Sequence, residues 1–121
     1  TNFTKYGFTP GMGATLILPK KLGIALAHEM MLGAKNYRGE ELRNRGIPFT
    51  VLPRSEVLAH ALELAKNLAQ KPRVSLVTLK DHLVKELRLE LPHVINQEVT
   101  MHEKTIHQPE VKDLIEQHFG K

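Results

Sequence analysis

Tyr6-Gly7-Phe8-Thr9-Pro10-Gly11-Met12-Gly13-Ala14-Thr15 decides how this chain is read, because three glycines and a proline interrupt an otherwise largely apolar run. Glycine admits backbone angles and close approaches that a Cβ forbids, and Pro10 fixes one φ. The run therefore reads as a shaped elbow feeding a helix that starts near Gly13. Upstream lie only Thr1 to Lys5, which are β-prone and read as the tail of a strand or the loop leaving one. Downstream the pattern is almost wholly helical. That asymmetry leads us to expect the second half of a larger fold.

A chain of 121 residues is one domain or part of one, long enough for a moderate core. It has no cysteine, so disulfides and thiolate metal sites are excluded and a reducing compartment is expected. No apolar run approaches the roughly 20 residues of a membrane span and no basic-then-apolar leader opens the chain, so we expect a cytoplasmic protein with no membrane partner. The net charge of +4 is uneven: Lys20, Lys21, Lys35, Arg38, Arg43, Arg45 and Arg54 outweigh Glu29, Glu40 and Glu41 over the same span. Such an excess is either an ordinary solvated surface or an attractor of phosphates and acidic partners. Nucleic acid is disfavoured: aromatic residues are few, two tyrosines and four phenylalanines, and no nucleic-acid-binding motif is present.

Along the chain, Ala14 to Leu18 begins a helix that is expected to bend or stop by Pro19. Gly23 opens Ile24 to Leu32, apolar nearly all round and so expected to be buried on most sides, and Gly33 closes it. Arg38 to Arg45 reads as a short helix with acids first, bases last and Gly46 beyond. Phe49 to Leu52 reads as a four-residue strand ended by Pro53. Ser55 is the expected N-cap of a helix over 56–70, with Val57, Leu58, Ala61, Leu62, Leu64, Ala65 and Leu68 on a broad apolar face. Pro72 suits the first turn of a long helix whose Leu76, Leu79, Leu83 and Leu87 share a face, with Pro92 expected to kink or divide it. Pro109 opens a last helix, Glu110 to about His118, and Gly120 is expected to end the ordered chain.

His102 is the strongest catalytic candidate. It shares a stripe with Ile95, Val99 and Ile106 at steps of four, three and four. An imidazole among β-branched neighbours is partly desolvated, which favours the neutral, proton-exchanging ring. The plainer alternative is a core histidine bonded to a backbone carbonyl. Glu98, one turn back, is placed to orient it or simply to form a helix pair. No metal is expected, since His102 and His107 are five apart and nothing completes a ligand set. Ser55 and Ser75 are explained as helix-start residues, and no nucleophile triad is visible. The elbow lacks the Gly-Lys-Ser/Thr ending of a phosphate loop and the spacing of a dinucleotide fingerprint. It remains either a tight connection or a helix N-terminus that offers free N–H groups to a carbonyl or carboxylate.

Thr9 to Thr15, Leu18-Pro19-Lys20-Lys21-Leu22-Gly23, Ala27 to Ala34 and Gly46 to Pro53 together resemble the second half of the crotonase (enoyl-CoA hydratase/isomerase) superfamily, in order and spacing, over essentially the whole chain. Lys5 to Thr15, Ser75 to Val84 and Met101 to Thr105 are similar to one branch, the decarboxylating hydratase-like enzymes of polyketide β-branching cassettes. The resemblance implies an α/β fold, a spiral of ββα units, of which residues 1–121 are the C-terminal half of a single domain and mostly its helical part. It also implies trimers or pairs of trimers, and an oxyanion hole of two backbone N–H groups that stabilises a thioester enolate. Both oxyanion strands belong to the N-terminal half, absent here, so this fragment alone is expected to be inactive.

Water-adding members keep a glutamate four residues before the glycine that corresponds to Gly7; here that position is Phe3. Losing that proton donor argues against hydration and suits a pocket that desolvates a substrate carboxylate. The resemblance thus implies decarboxylation of a methylglutaconyl thioester on an acyl carrier protein to a methylcrotonyl thioester. It implies His102 as the catalytic residue, Phe3, Tyr6, Phe8, Pro10, Gly11 and Met12 around the substrate, and no cofactor. The basic run from Lys20 to Arg54 would meet the carrier and its phosphopantetheine arm. Two rivals stand beside this reading: an enoyl-CoA hydratase or isomerase, and a non-catalytic helical docking or oligomerisation module of a synthase.

Overall fold

The computed structural model describes residues 1–119. Its helices are α1 (Ala14–Leu22), α2 (Ile24–Gly33), α3 (Gly39–Asn44), α4 (Arg54–Ala69), α5 (Arg73–Ile106) and α6 (Pro109–His118), preceded by a 3-10 turn over Phe3–Tyr6. The chain divides into two units. Residues 1–38 and those from Glu90 onward form the first, and Gly39–Leu89 the second. The expected end of the ordered chain at Gly120 lies outside the described residues.

In the first unit, α1 packs against α2, and the 3-10 turn touches both α2 and α6. The β-prone opening is therefore neither strand nor strand-leaving loop. Lys5 N–H donates to the Asn2 carbonyl and Gly7 N–H to the Thr4 carbonyl, closing tight turns, and Gly7 ends them at φ +82°. The hydroxyl of Thr4 donates to the Met31 carbonyl at 3.1 Å, tying the turn to the end of α2. Leu16, Ala27, Met30, Met31 and Val111 form the buried apolar core. Only one face of α2 takes part: Ala27, Met30 and Met31 are buried while Ile24 and Leu32 are 66% and 79% exposed, so the expectation of burial on most sides is not met.

Proline acts less as a punctuator here than its chemistry suggests. Pro19 sits inside α1, which runs on to Leu22, and its carbonyl accepts Gly23 N–H at 2.9 Å. Its missing N–H removes one rung of the ladder, but its fixed φ is helical, and the helix ends only where Gly23 turns at φ +82°, ψ 153°. Pro92 likewise lies within the continuous α5 and does not divide it. Pro109 opens α6 at its first turn with Glu110 beside it, as its sequence indicates.

In the second unit, Phe49 to Leu52 is not a strand; it runs as a bend and coil. A strand needs a ladder, the described residues contain no partner strand, and Pro48 and Pro53 deprive its borders of donors. Val51 instead packs against Gly39, where a Cβ would stand 3.0 Å from its Cγ1. Ser55 is not the cap of α4 either: the helix begins at Arg54, and Pro53, extended at φ −54°, ψ 144°, takes the flanking position. The apolar face of α4 exists but is uncovered among the described residues, with Leu58 71% exposed.

The elbow enters α1 through Gly13, buried and left-handed at φ +80°, where an added Cβ would collide with Leu91 Cδ1. Gly13→Ala is expected to destabilise the full-length protein by roughly 1–2 kcal/mol through backbone strain alone, more if Leu91 fails to yield. Denaturant unfolding measures it.

Candidate active site

The elbow and the last turns of α5 make the site together. A single helix face presents Glu98, His102 and Thr105 at steps of four and three, so all three meet the same stretch of chain. Glu98 is only 2% exposed. One carboxylate oxygen accepts Gly13 N–H at 2.5 Å; the other accepts Thr15 N–H at 2.8 Å and the Thr15 hydroxyl at 2.6 Å. A carboxylate at the positive end of α1 is favourably placed, and three donors offset the cost of its burial.

This arrangement decides against one side of two open alternatives. The N-terminus of α1 does not offer free donors to a substrate: Thr15 N–H is held by Glu98, Ala14 N–H by the Gly11 carbonyl, and Leu16 and Ile17 N–H by the Gly13 carbonyl. Nor does Glu98 orient His102, because its oxygens are turned to the elbow.

His102 is half-buried, and its Nδ1 lies 3.0 Å from the Thr9 carbonyl oxygen. A carbonyl only accepts, so Nδ1 carries the proton and, in the neutral ring, Nε2 holds the lone pair. Phe8 and the imidazole meet in a T-shaped contact at 5.4 Å between centroids, and Phe3 and Phe8 in another at 6.2 Å. These aromatic contacts hold the ring in an apolar frame while leaving one nitrogen for chemistry.

A cavity of about 330 Å³ opens beside this frame, its wall including Phe3, Phe8, Met12, Val99 and His102. Gly11 and Glu98 also border it. Met12 is 93% exposed and left-handed at φ 61°, a conformation that non-glycine residues adopt at a cost of about 1–2 kcal/mol. Of the residues expected at the site, Phe3, Phe8, Gly11, Met12 and His102 are brought together. Tyr6 and Pro10 are not on this wall. Tyr6 stacks on Phe8 at 6.1 Å but borders a separate hollow with Ile115 and Phe119. Pro10 is buried and faces an apolar cavity of about 340 Å³ with Met31 and Met101.

Thr9, Val99, Glu103 and Thr105 were not singled out by the sequence. Thr9 and Thr105 lie inside two of the motifs that carry the family resemblance, and Val99 lies on the same stripe as His102. Among the described residues, no three His, Asp or Glu side chains converge as a metal set would, and no helix is long and apolar enough to cross a membrane. In the basic run, Lys20 is paired with Glu90 at 2.6 Å and Arg43 with Glu40 at 3.8 Å.

The chain belongs to the enoyl-CoA hydratase/isomerase family, which matches residues 1–120, and its likeness to solved structures identifies it with the helical C-terminal part of the crotonase fold. Among individual relatives, it is 65% identical over 98% of its length to the bacillaene synthase decarboxylase PksI of Bacillus subtilis, covering 48% of that protein. It superposes with TM-score 0.96 on a structure of a dehydratase/decarboxylase enzyme couple involved in polyketide β-branching, at 65% identity over 98% of this chain and 49% of that one. The decarboxylase domain of CurF from Lyngbya majuscula gives TM-score 0.95 at 48% identity, again over 98% of this chain and 49% of that one. The chain thus spans about half the length of the relatives it matches.

In Glu98→Gln an NH₂ replaces the oxygen facing Gly13 N–H, setting donor against donor. The full-length variant is expected to lose roughly 1–3 kcal/mol of stability. Amide exchange at Gly13 should accelerate more than at Thr15, whose acceptor survives, and hydrogen exchange followed by NMR distinguishes the two.

Proposed function

We propose that residues 1–121 are the C-terminal half of a single crotonase-like domain, and that the full-length protein decarboxylates a methylglutaconyl thioester on an acyl carrier protein. The product is the methylcrotonyl thioester. The observation that carries the reading is His102 held by the Thr9 carbonyl on the wall of an apolar cavity that Phe3 also lines. The 65% identity to a protein named a decarboxylase supports the same chemistry.

In that reaction the electron pair of the breaking carbon–carbon bond flows through the conjugated double bond to the thioester oxygen. CO₂ leaves, and the resulting dienolate takes a proton at the carbon that lost it. The oxyanion donors lie in the other half of the fold, where preorganised N–H groups lower the barrier by several kcal/mol. This half supplies the apolar wall and the imidazole. The wall strips water from the substrate carboxylate and so favours its loss. Protonated His102 donates from both nitrogens, Nδ1 to Thr9 and Nε2 to the substrate carboxylate or to the dienolate carbon. No metal or redox cofactor is required by this scheme. The protein works in the cytoplasm as a trimer or pair of trimers, and the exposed apolar face of α4 is in keeping with such an assembly. Its basic residues between Lys20 and Arg54 meet the acidic carrier and its phosphopantetheine arm.

Full-length protein is expected to release CO₂ from methylglutaconyl-carrier protein, and His102→Gln to slow it at least tenfold, since an acid–base group typically contributes about 10²–10⁴-fold. An unchanged rate removes His102 from the reaction. Phe3→Glu places a carboxylate on the same wall as the substrate's own and is expected to slow decarboxylation by roughly tenfold or more. Incubation of crotonyl thioester in ¹⁸O-water separates the hydratase reading, which requires label in the product; none is expected.

A further inference from the structure

Three hydrogen bonds link Thr9, His102 and Thr105 into a closed circuit. His102 Nδ1–H donates to the Thr9 carbonyl at 3.0 Å, Thr9 N–H donates to Thr105 Oγ1 at 3.2 Å, and the Thr105 hydroxyl donates to the His102 carbonyl at 3.0 Å. The Thr9 hydroxyl adds a fourth contact, 3.2 Å from Thr105 Oγ1. A hydroxyl has one proton to give and two lone pairs. With its proton on the His102 carbonyl, Thr105 accepts from both Thr9 N–H and the Thr9 hydroxyl, and its capacity is filled.

A helical threonine that bonds back to the carbonyl three residues earlier is ordinary and by itself means nothing. Here the same oxygen also grips the N–H of the residue whose carbonyl fixes the imidazole. The Thr9 residue is thus held at both ends by one turn of α5, N–H by Thr105 and C=O by His102.

We propose that Thr105 is a positioning residue that fixes the tautomer of His102 by holding the Thr9 carbonyl on Nδ1. Without its hydroxyl, two Thr9 donors lose their acceptor in a half-buried setting, and the elbow turns to find another. The carbonyl then leaves Nδ1, and the ring adopts the Nε2–H tautomer that free histidine side chains favour. The consequence for turnover rests on His102 serving as the acid–base group; the tautomer itself does not.

The test uses full-length ¹⁵N-labelled protein, with two-bond ¹H–¹⁵N correlation spectra of the His102 ring at a pH where it is neutral. Wild type is expected to show Nδ1–H, Thr105→Val to move to mostly Nε2–H, and Thr105→Ser, which restores the hydroxyl, to return to Nδ1–H. Thr105→Ala is a second loss-of-hydroxyl variant should Val not fold. In CO₂ release, Thr105→Val should lower kcat about tenfold with KM within about twofold, and Thr105→Ser should lie within about twofold of wild type. Nε2–H in wild type, or Nδ1–H kept in the Val and Ala variants, overturns the proposal. A changed tautomer with unchanged kcat upholds the positioning role and counts instead against His102 as the acid–base group.

Discussion

The buried carboxylate of Glu98 is the constraint on which the first unit depends. It reaches from α5 to the start of α1, takes Gly13 N–H, Thr15 N–H and the Thr15 hydroxyl, and so welds two segments 85 residues apart in the sequence. Charge-assisted bonds of this kind contribute roughly 1.5–3 kcal/mol each, although shared on one group they do not simply add. The weld has a second effect. It closes the α1 N-terminus to ligands, so whatever chemistry the elbow supports runs through its residues earlier in the chain.

Those residues are Phe8 and Thr9. Phe8 gives the imidazole its aromatic wall, and Thr9 gives it a carbonyl that only a protonated nitrogen can meet. The site therefore combines a low-polarity lining with an imidazole whose Nδ1 faces a backbone carbonyl, while the Glu98 oxygens bond the elbow and not the ring. Phe3 adds a second phenyl ring to the same cavity wall.

Much of this was legible in the sequence, and the failures have physical causes. Helices α2, α3, α4 and α6 follow from apolar spacing and from glycine and proline at their borders, and His102 stood out because a polar ring interrupted a β-branched stripe. Phe49 to Leu52 has strand composition but no ladder, and propensity cannot supply a partner. Pro19 reads as a bend or stop and Pro92 as a kink or division, yet neither helix stops there, because a proline ring already holds the helical φ and one lost rung is tolerated in a packed helix. Ser55 lost the cap of α4 to Pro53. The role of Glu98 was invisible for a different reason: its partners are backbone N–H groups, which every residue carries and no sequence pattern reveals. The acceptor of His102 is likewise a backbone carbonyl. Tyr6 and Pro10 share the motif of Phe8 and Gly11 but face other hollows, because neighbouring residues in a turning chain point apart.

The Glu98 weld also orders events in time. Helix α1 has nine residues, short enough to be marginal in water by itself, and the group that satisfies its first N–H donors is made 85 residues after Gly13. At ribosomal rates of about 5–20 residues per second that interval is roughly 4–17 s. For that time the newly made elbow and its helix have no acid to seat them, so the entrance to α1 cannot take up its final bonding until Glu98 has been made.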